Sequence, residues 1–290
     1  MKALTRFQMY MVLVIIATGA IGWATIHNFP VFGPFDYLNQ LWYVFWHEAM
    51  HAIFVFLSGG KVDEMMVMHR LGGYVSPSGR ISMLVFPAGY IAPVILSCFI
   101  LYRSVKHPEQ SDILAFVVGV VSMIVAGLFT TTDPVLRMIS MGFVITNIVL
   151  FGLTRNKWQM IRLLFYVVVT VVVVTMYLQH VHNSNLDGAN LTFLVGASMG
   201  GILAFTGGTA KVFPSLVVLS LVNSSLLYNS FTRATEMIPQ VQAGGTNDPA
   251  ILAGILGWNP IFMAGLWIAI IVLVCGLTVV AVVKVVNQSH

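Results

Sequence analysis

The chain has 290 residues, of which 58% are hydrophobic and only 8% charged, and its mean hydropathy is +0.90. That balance excludes a soluble domain and predicts an all-α polytopic membrane protein, read as a single integral domain over residues 1–290. The net charge of +4 is the usual excess of Lys and Arg beside membrane spans and gives no reason to expect nucleic-acid binding.

The first apolar run, about Met9 to Ile26, follows Lys2 and Arg6 in the manner of a signal peptide. It lacks a clear small-residue cleavage site, so it reads as a retained extra span. Asn28 to Asn39, with Pro30, Gly33 and Pro34, then separates it from a second apolar run, Leu41 to Leu57. This run is expected to be a helix that stops at Ser58-Gly59-Gly60. Lys61 to Arg80 is polar and carries Gly72-Gly73-Tyr74-Val75 and Pro77-Ser78-Gly79, which suits a short β-hairpin, an edge strand or a re-entrant connection. Further spans are expected at roughly 81–102, 113–131, 136–153, 160–179, 191–208, 212–230 and 260–284, for about eight to nine transmembrane helices in all.

Two stretches between spans stand apart. His180 to Asn190 contains His180, His182 and Asp187 without Lys or Arg, and Phe231 to Pro260 is the longest stretch expected not to span. Cys98 and Cys275 fall in different apolar segments and imply neither a disulfide framework nor a Cys-rich metal site. Lys2, Arg6, Lys61, Arg70 and Arg80 agree on one cytoplasmic side, whereas Arg103, Lys106, Arg155 and Lys157 fall on the other. A re-entrant segment or a different span count would reconcile them.

The chemistry concentrates in Trp46-His47-Glu48-Ala49-Met50-His51, a His-Glu-x-x-His motif. Positions four apart share a helix face, so His47 and His51 can grip one metal ion, with Glu48 beside its open coordination position. The plain alternative is a pair of histidines hydrogen-bonded in a helix core. Two imidazoles and a carboxylate within five residues of a membrane-length apolar run are costly unless they bind something.

The motif helix, followed by Gly59-Gly60-Lys61-Val62, Gly72-Gly73-Tyr74 and Pro87-Ala88-Gly89-Tyr90-Ile91, resembles the short site-2-protease-like (M50B-like) branch of membrane metallopeptidases. Thr154-Arg155-Asn156 is similar to that branch's Arg-Asn box. Asn247-Asp248-Pro249-Ala250, with Leu252-Ala253 and Trp258-Asn259-Pro260, resembles its Ser-Asp-Ala box before the final helix. The resemblance covers about residues 41 to 275. The chain departs from the pattern at Val75, where Thr is usual, and keeps only Leu186-Asp187-Gly188 of the longer Leu-Asp-Gly segment of better-known site-2 proteases.

The resemblance implies Zn2+ held by His47, His51 and a third ligand, with Glu48 as general base in peptide-bond hydrolysis. Three aspartates are candidates for the third ligand: Asp248, Asp187 and, further down, Asp133; each could instead cap a helix. His180 and His182 read as interfacial loop histidines. An oxyanion donor could come from Asn156 or Asn147, and the Gly73 segment could offer an edge for strand addition by the substrate or be an ordinary turn. The implied partners are the bilayer and a membrane-protein substrate whose transmembrane helix must unwind before its carbonyls are accessible. Two other classes stay open at this point, a metal-ion or proton transporter and a catalytically inactive relative that binds membrane helices. The absence of a convincing internal repeat speaks against the first, and the intact motif against the second.

Overall fold

The structure is a computed structural model that describes residues 2–129 except 30, 32, 69 and 70, then 138, 141, 142, 145 and 149, and residues 189–288 except 210 and 211. Among them, α1 (Lys2–Asn28) and α2 (Gly33–Leu57) precede a hairpin of β1 (Lys61–Val67) and β2 (Gly73–Ser78). There follow α3 (Val85–Lys106), a 3-10 turn (Pro108–Gln110) and α4 (Ser111–Phe129). The remaining elements are α5 (Ala189–Thr209), α6 (Val212–Gln242), α7 (Asp248–Leu256) and α8 (Pro260–Gln288). The expected spans at 136–153 and 160–179 fall almost wholly outside the described residues.

Six helices among the described residues are long and apolar enough to cross a membrane: α1, α3, α4 with its leading turn, α5, α6 and α8. α8 leaves Val272, Leu273, Leu277, Val279 and Val280 more than half exposed, an apolar face that suits lipid and not water. α2 is not in this group, because Asn39, Gln40, His47, Glu48 and His51 dilute its apolar run. It is enclosed by the others instead. Trp42, Phe45, Ala49, Ala52 and Val55 are wholly buried along it, and Trp42 stacks on Phe45 at 5.7 Å between ring centroids. The connection before α2 is shorter than expected, since the helix begins at Gly33. Pro34 stands where its missing N–H costs no helical hydrogen bond, and Asp36 lies in the first turn, where a carboxylate favours the helix N-terminus.

α2 ends as the sequence predicts. Gly59 takes a left-handed conformation at φ 79°, and the Gly60 N–H returns to the Val55 carbonyl at 3.0 Å. The hairpin follows at once. β1 and β2 pair antiparallel from Lys61↔Ser78 to Val67↔Gly73, with an irregularity between Val62 and Glu64. Met65 and Val67 turn into the core shared with α2, and the Val67 N–H donates to Thr192 Oγ1 of α5 at 2.6 Å. At the open end, the Ser78 hydroxyl and the Lys61 ammonium hold the Asp63 carboxyl below the usual carboxylate range. Among the described residues, the sheet is therefore anchored by one face and by the Val67 bond to α5.

The stretch after α6 differs from expectation. The helix does not stop near 230 but runs to Gln242, because no Gly or Pro intervenes before Pro239. Ala234 and Met237 bury themselves against Leu252, Ala253, Met263 and Trp267, which rewards the extra turns with apolar burial. Arg233 and Glu236 add a pair along the helix at 3.1 Å. The chain then reverses at Gly244, φ 78°, and enters the short helix α7. In the same cluster the Cys98 and Cys275 thiols share a hydrogen bond at 3.9 Å and form no disulfide.

α4 and α5 touch backbone to backbone. A Cβ on Gly119 would lie 2.4 Å from both the Ala204 nitrogen and the Gly200 carbonyl oxygen, so only glycine permits this approach. Gly119→Leu should force the helices apart and cost about 1–3 kcal/mol, the usual range for overpacking. The thermal midpoint in detergent micelles should fall by several degrees; an unchanged midpoint would contradict the packing described.

Candidate metal centre

α2 carries both imidazoles on one face, one turn apart. His51 Nδ1 lies 2.7 Å from the carbonyl oxygen of Val85, the first residue of α3. A carbonyl can only accept, so this bond places the His51 proton on Nδ1 and leaves Nε2 with a lone pair directed at His47. The two Nε2 atoms are 3.2 Å apart. Asp248 arrives from the far end of the sequence, its Oδ2 3.1 Å from His51 Nε2 and 3.4 Å from His47 Nε2.

Local capping explains how Asp248 is free to do this. Asn247 is the N-cap of α7, its side chain accepting from the Ala250 N–H at 3.2 Å. Asp248 is therefore the first helical residue, and its carboxylate is not spent on the cap. Pro249 follows in the first turn, where proline costs nothing.

Donors bound at 2.0–2.1 Å to a tetrahedral ion lie roughly 3.3 Å from one another. The separations of 3.1, 3.2 and 3.4 Å among the three ligand atoms match that triangle. His47, His51 and Asp248 are also the one group of three or more metal-type side chains that converges among the described residues. Gly89 of α3 makes room for it. A Cβ there would come within 2.3 Å of His51 Nε2 and 2.6 Å of His47 Nε2, inside the space an ion would use. The donor set and the space fit a divalent metal.

Glu48 is buried at 5% exposure, one residue on from His47. Gly73, at the start of β2, abuts it so closely that a Cβ would lie 2.6 Å from Glu48 Oε1. Both residues line a cavity of about 610 Å³. Leu71, Val75, Ile81, Val85 and Phe86 form an apolar part of its lining; Tyr43, Arg233, Gln240, Thr246 and Asn247 form a polar part. Tyr90 closes on His47 edge to face at 4.6 Å between ring centroids. Arg233 is engaged by Gln40 Oε1 and Glu236 Oε2, each at 3.1 Å.

Of the residues expected from sequence, His47, Glu48, His51, Gly73 and Asp248 meet at this cavity. Asp187, Asp133, Asn156, Asn147, His180 and His182 lie outside the described residues. Sequence reading missed three contributors. Arg233 falls in the stretch expected not to span, and the structure continues the helix through it. The Val85 carbonyl has no sequence signal. Tyr43 did have one, since it stands one turn before His47 on the same helical face.

A buried His-Glu-x-x-His helix, met by an aspartate and surrounded by helices of membrane-crossing length, is the arrangement expected of a membrane metallopeptidase. A family model described as Peptidase M50B-like matches residues 11–188, more than half the chain, and the protein belongs to that family. The matched segment holds His47, Glu48 and His51 but ends before Asp248. No curated protein and no solved structure matches the chain.

The contact at Gly89 generates a direct expectation. Gly89→Ala should abolish or sharply reduce metal retention, measured by elemental analysis of the purified protein, because its methyl group would occupy the ion's space. The imidazoles must also give way to the methyl group, so the thermal midpoint of the metal-free protein should fall modestly, by no more than overpacking usually costs. Wild-type metal content in that variant would refute the cradle described here.

Proposed function

We propose that the protein is a multi-pass intramembrane zinc metalloprotease that hydrolyses peptide bonds of membrane-embedded substrates. The observation that carries this reading is the convergence of His47, His51 and Asp248 beside Glu48 on one cavity, in a chain of the M50B-like family. In this reading His47, His51 and Asp248 hold the ion. Zn2+ supplies Lewis acidity there when bound, bringing the deprotonation of a water towards neutral pH.

The chain's own groups do the rest. Glu48 accepts a proton from the attacking water and later returns it to the leaving nitrogen. Val85, through its carbonyl, keeps the His51 ring oriented and its Nε2 unprotonated. The apolar residues along one side of the cavity lower the local dielectric, so charges beside them act more strongly than in water. β2 offers Gly73, Tyr74 and Val75 along the same cavity, an edge on which an unwound substrate segment can lie extended. The substrate is expected to unwind first, because helical carbonyls are already engaged in their own hydrogen bonds.

Glu48→Gln should retain metal at the wild-type level and lose cleavage of a membrane peptide by at least about 10²-fold. A Gln variant that cuts at the normal rate would sink the assignment. Asp248→Ala should lower zinc content as well as turnover, and Asp248→Asn should be nearly as harmful, since a neutral amide is a poorer zinc ligand than a carboxylate. Asp187→Ala should leave zinc content close to wild type. If Asp187→Ala empties the site and Asp248→Ala does not, Asp187 is the ligand and the present assignment of Asp248 is wrong.

A further inference from the structure

Tyr43 lies one turn before His47 and two before His51, so all three share a face of α2. Its ring centroid is 6.1 Å from that of His47. The side chain is only 3% exposed, and its phenolic oxygen has no hydrogen-bond partner among the described residues. A buried polar group left in that state costs about 1–3 kcal/mol, whereas phenylalanine would fill the same space without the cost. Other buried side chains have unpartnered polar atoms, Trp42, Trp46, Asn39 and Ser97 among them, but none of these lines the cavity. Tyr43 is the one that does. Glu48 and Asp248 there are acceptors when ionised; Arg233 is held by Gln40 and Glu236, and Tyr90, the other phenol closing on His47, stands on α3 and is only partly buried.

We propose that Tyr43 is a catalytic residue of this centre, donating its phenolic O–H to the substrate carbonyl oxygen as negative charge develops on it. The proposal rests on the peptidase reading and adds a hydrogen-bond donor for the developing oxyanion. In the step, the water oxygen forms a bond to the carbonyl carbon while the carbonyl π electrons move onto its oxygen, which accepts from Tyr43. Glu48 receives the water's proton. The π bond then re-forms as the C–N bond breaks, and the nitrogen takes the proton from Glu48, leaving a carboxylic acid and an amine. Tyr43 keeps its own proton throughout. A donor fixed in a low-dielectric pocket strengthens its bond as the charge grows, which lowers the barrier more than it favours the bound substrate.

The test uses the purified, metal-loaded full chain in detergent and Tyr43→Phe, which removes one oxygen and leaves the ring in place. The substrate is a fluorescence-quenched peptide carrying an apolar transmembrane sequence. Tyr43→Phe should lower kcat about 10²-fold, the usual effect of losing one such donor, with KM within about twofold. Metal content should be unchanged and the thermal midpoint unchanged or higher. A peptide phosphinate of the same sequence, tetrahedral and anionic at the reacting position, should bind the variant about 10²-fold more weakly. The uncleaved peptide, measured in a Glu48→Gln background, should bind with or without the Tyr43 hydroxyl equally well. Wild-type kcat and phosphinate affinity in Tyr43→Phe would overturn the proposal. So would a loss of metal or of thermal midpoint that parallels the loss of kcat, since that marks a structural role. If the wild-type protein holds metal but neither cuts the peptide nor binds the phosphinate, the peptidase reading itself fails and this proposal goes with it.

Discussion

Two imidazole nitrogens 3.2 Å apart, with a carboxylate oxygen 3.1 Å from one of them, are held inside a bundle whose other buried side chains are mostly apolar. Such a triangle is costly without an ion and strongly favoured around one, and much of the surrounding structure serves to keep it in place. α2 is enclosed by its neighbours, so its charged face meets protein and a cavity instead of lipid. α3 begins where its first carbonyl can orient His51, and one turn later presents a residue with no side chain to the two Nε2 atoms. α6 is extended beyond the expected span, and the reversal after it delivers α7 to the same place.

The two glycines at the site act by close approach. Gly73 lets the first residue of β2 lie against the Glu48 carboxylate, and Gly89 leaves space beside the imidazoles. In both cases a backbone comes to within contact distance of a reactive side chain, and any Cβ would intrude. The hairpin and α3 are thus as much part of the centre as the helix that bears the motif. Asn247 has a comparable indirect role. By satisfying the α7 N-terminus, it separates the capping of the helix from the carboxylate that reaches the imidazoles.

The cavity has an apolar side and a polar side, and the polar side is mostly self-satisfied. Arg233 is engaged with Gln40 and Glu236, and Asn247 with the backbone of its own helix. Tyr43 differs: its buried hydroxyl lines the cavity and has no partner among the described residues. An incoming polar group completes such a site without rearranging it, which is the physical meaning of preorganisation.

Much was legible in the sequence because it depends on local pattern. The apolar runs announced helices of membrane length, Ser58-Gly59-Gly60 announced the end of the motif helix, and the glycine- and proline-bearing segment after it announced a hairpin. The four-residue spacing of His47 and His51 placed both imidazoles on one face, since helical periodicity alone settles that. The end of α6 was not legible, because polar residues such as Thr232, Arg233 and Glu236 look like a loop until Ala234 and Met237 are seen to bury against α7 and α8. Nor could spacing decide among the aspartates. Asp248 lies 197 positions from His51 and meets it only because the chain reverses after α6. Tyr43 was visible as a residue on the right face, but its missing hydrogen-bond partner is a property of the packed interior. Local periodicity determined which side chains share a helix face; only the folded chain decided which distant backbone and carboxylate come to meet them, because those contacts depend on how whole helices pack and on where the chain turns back.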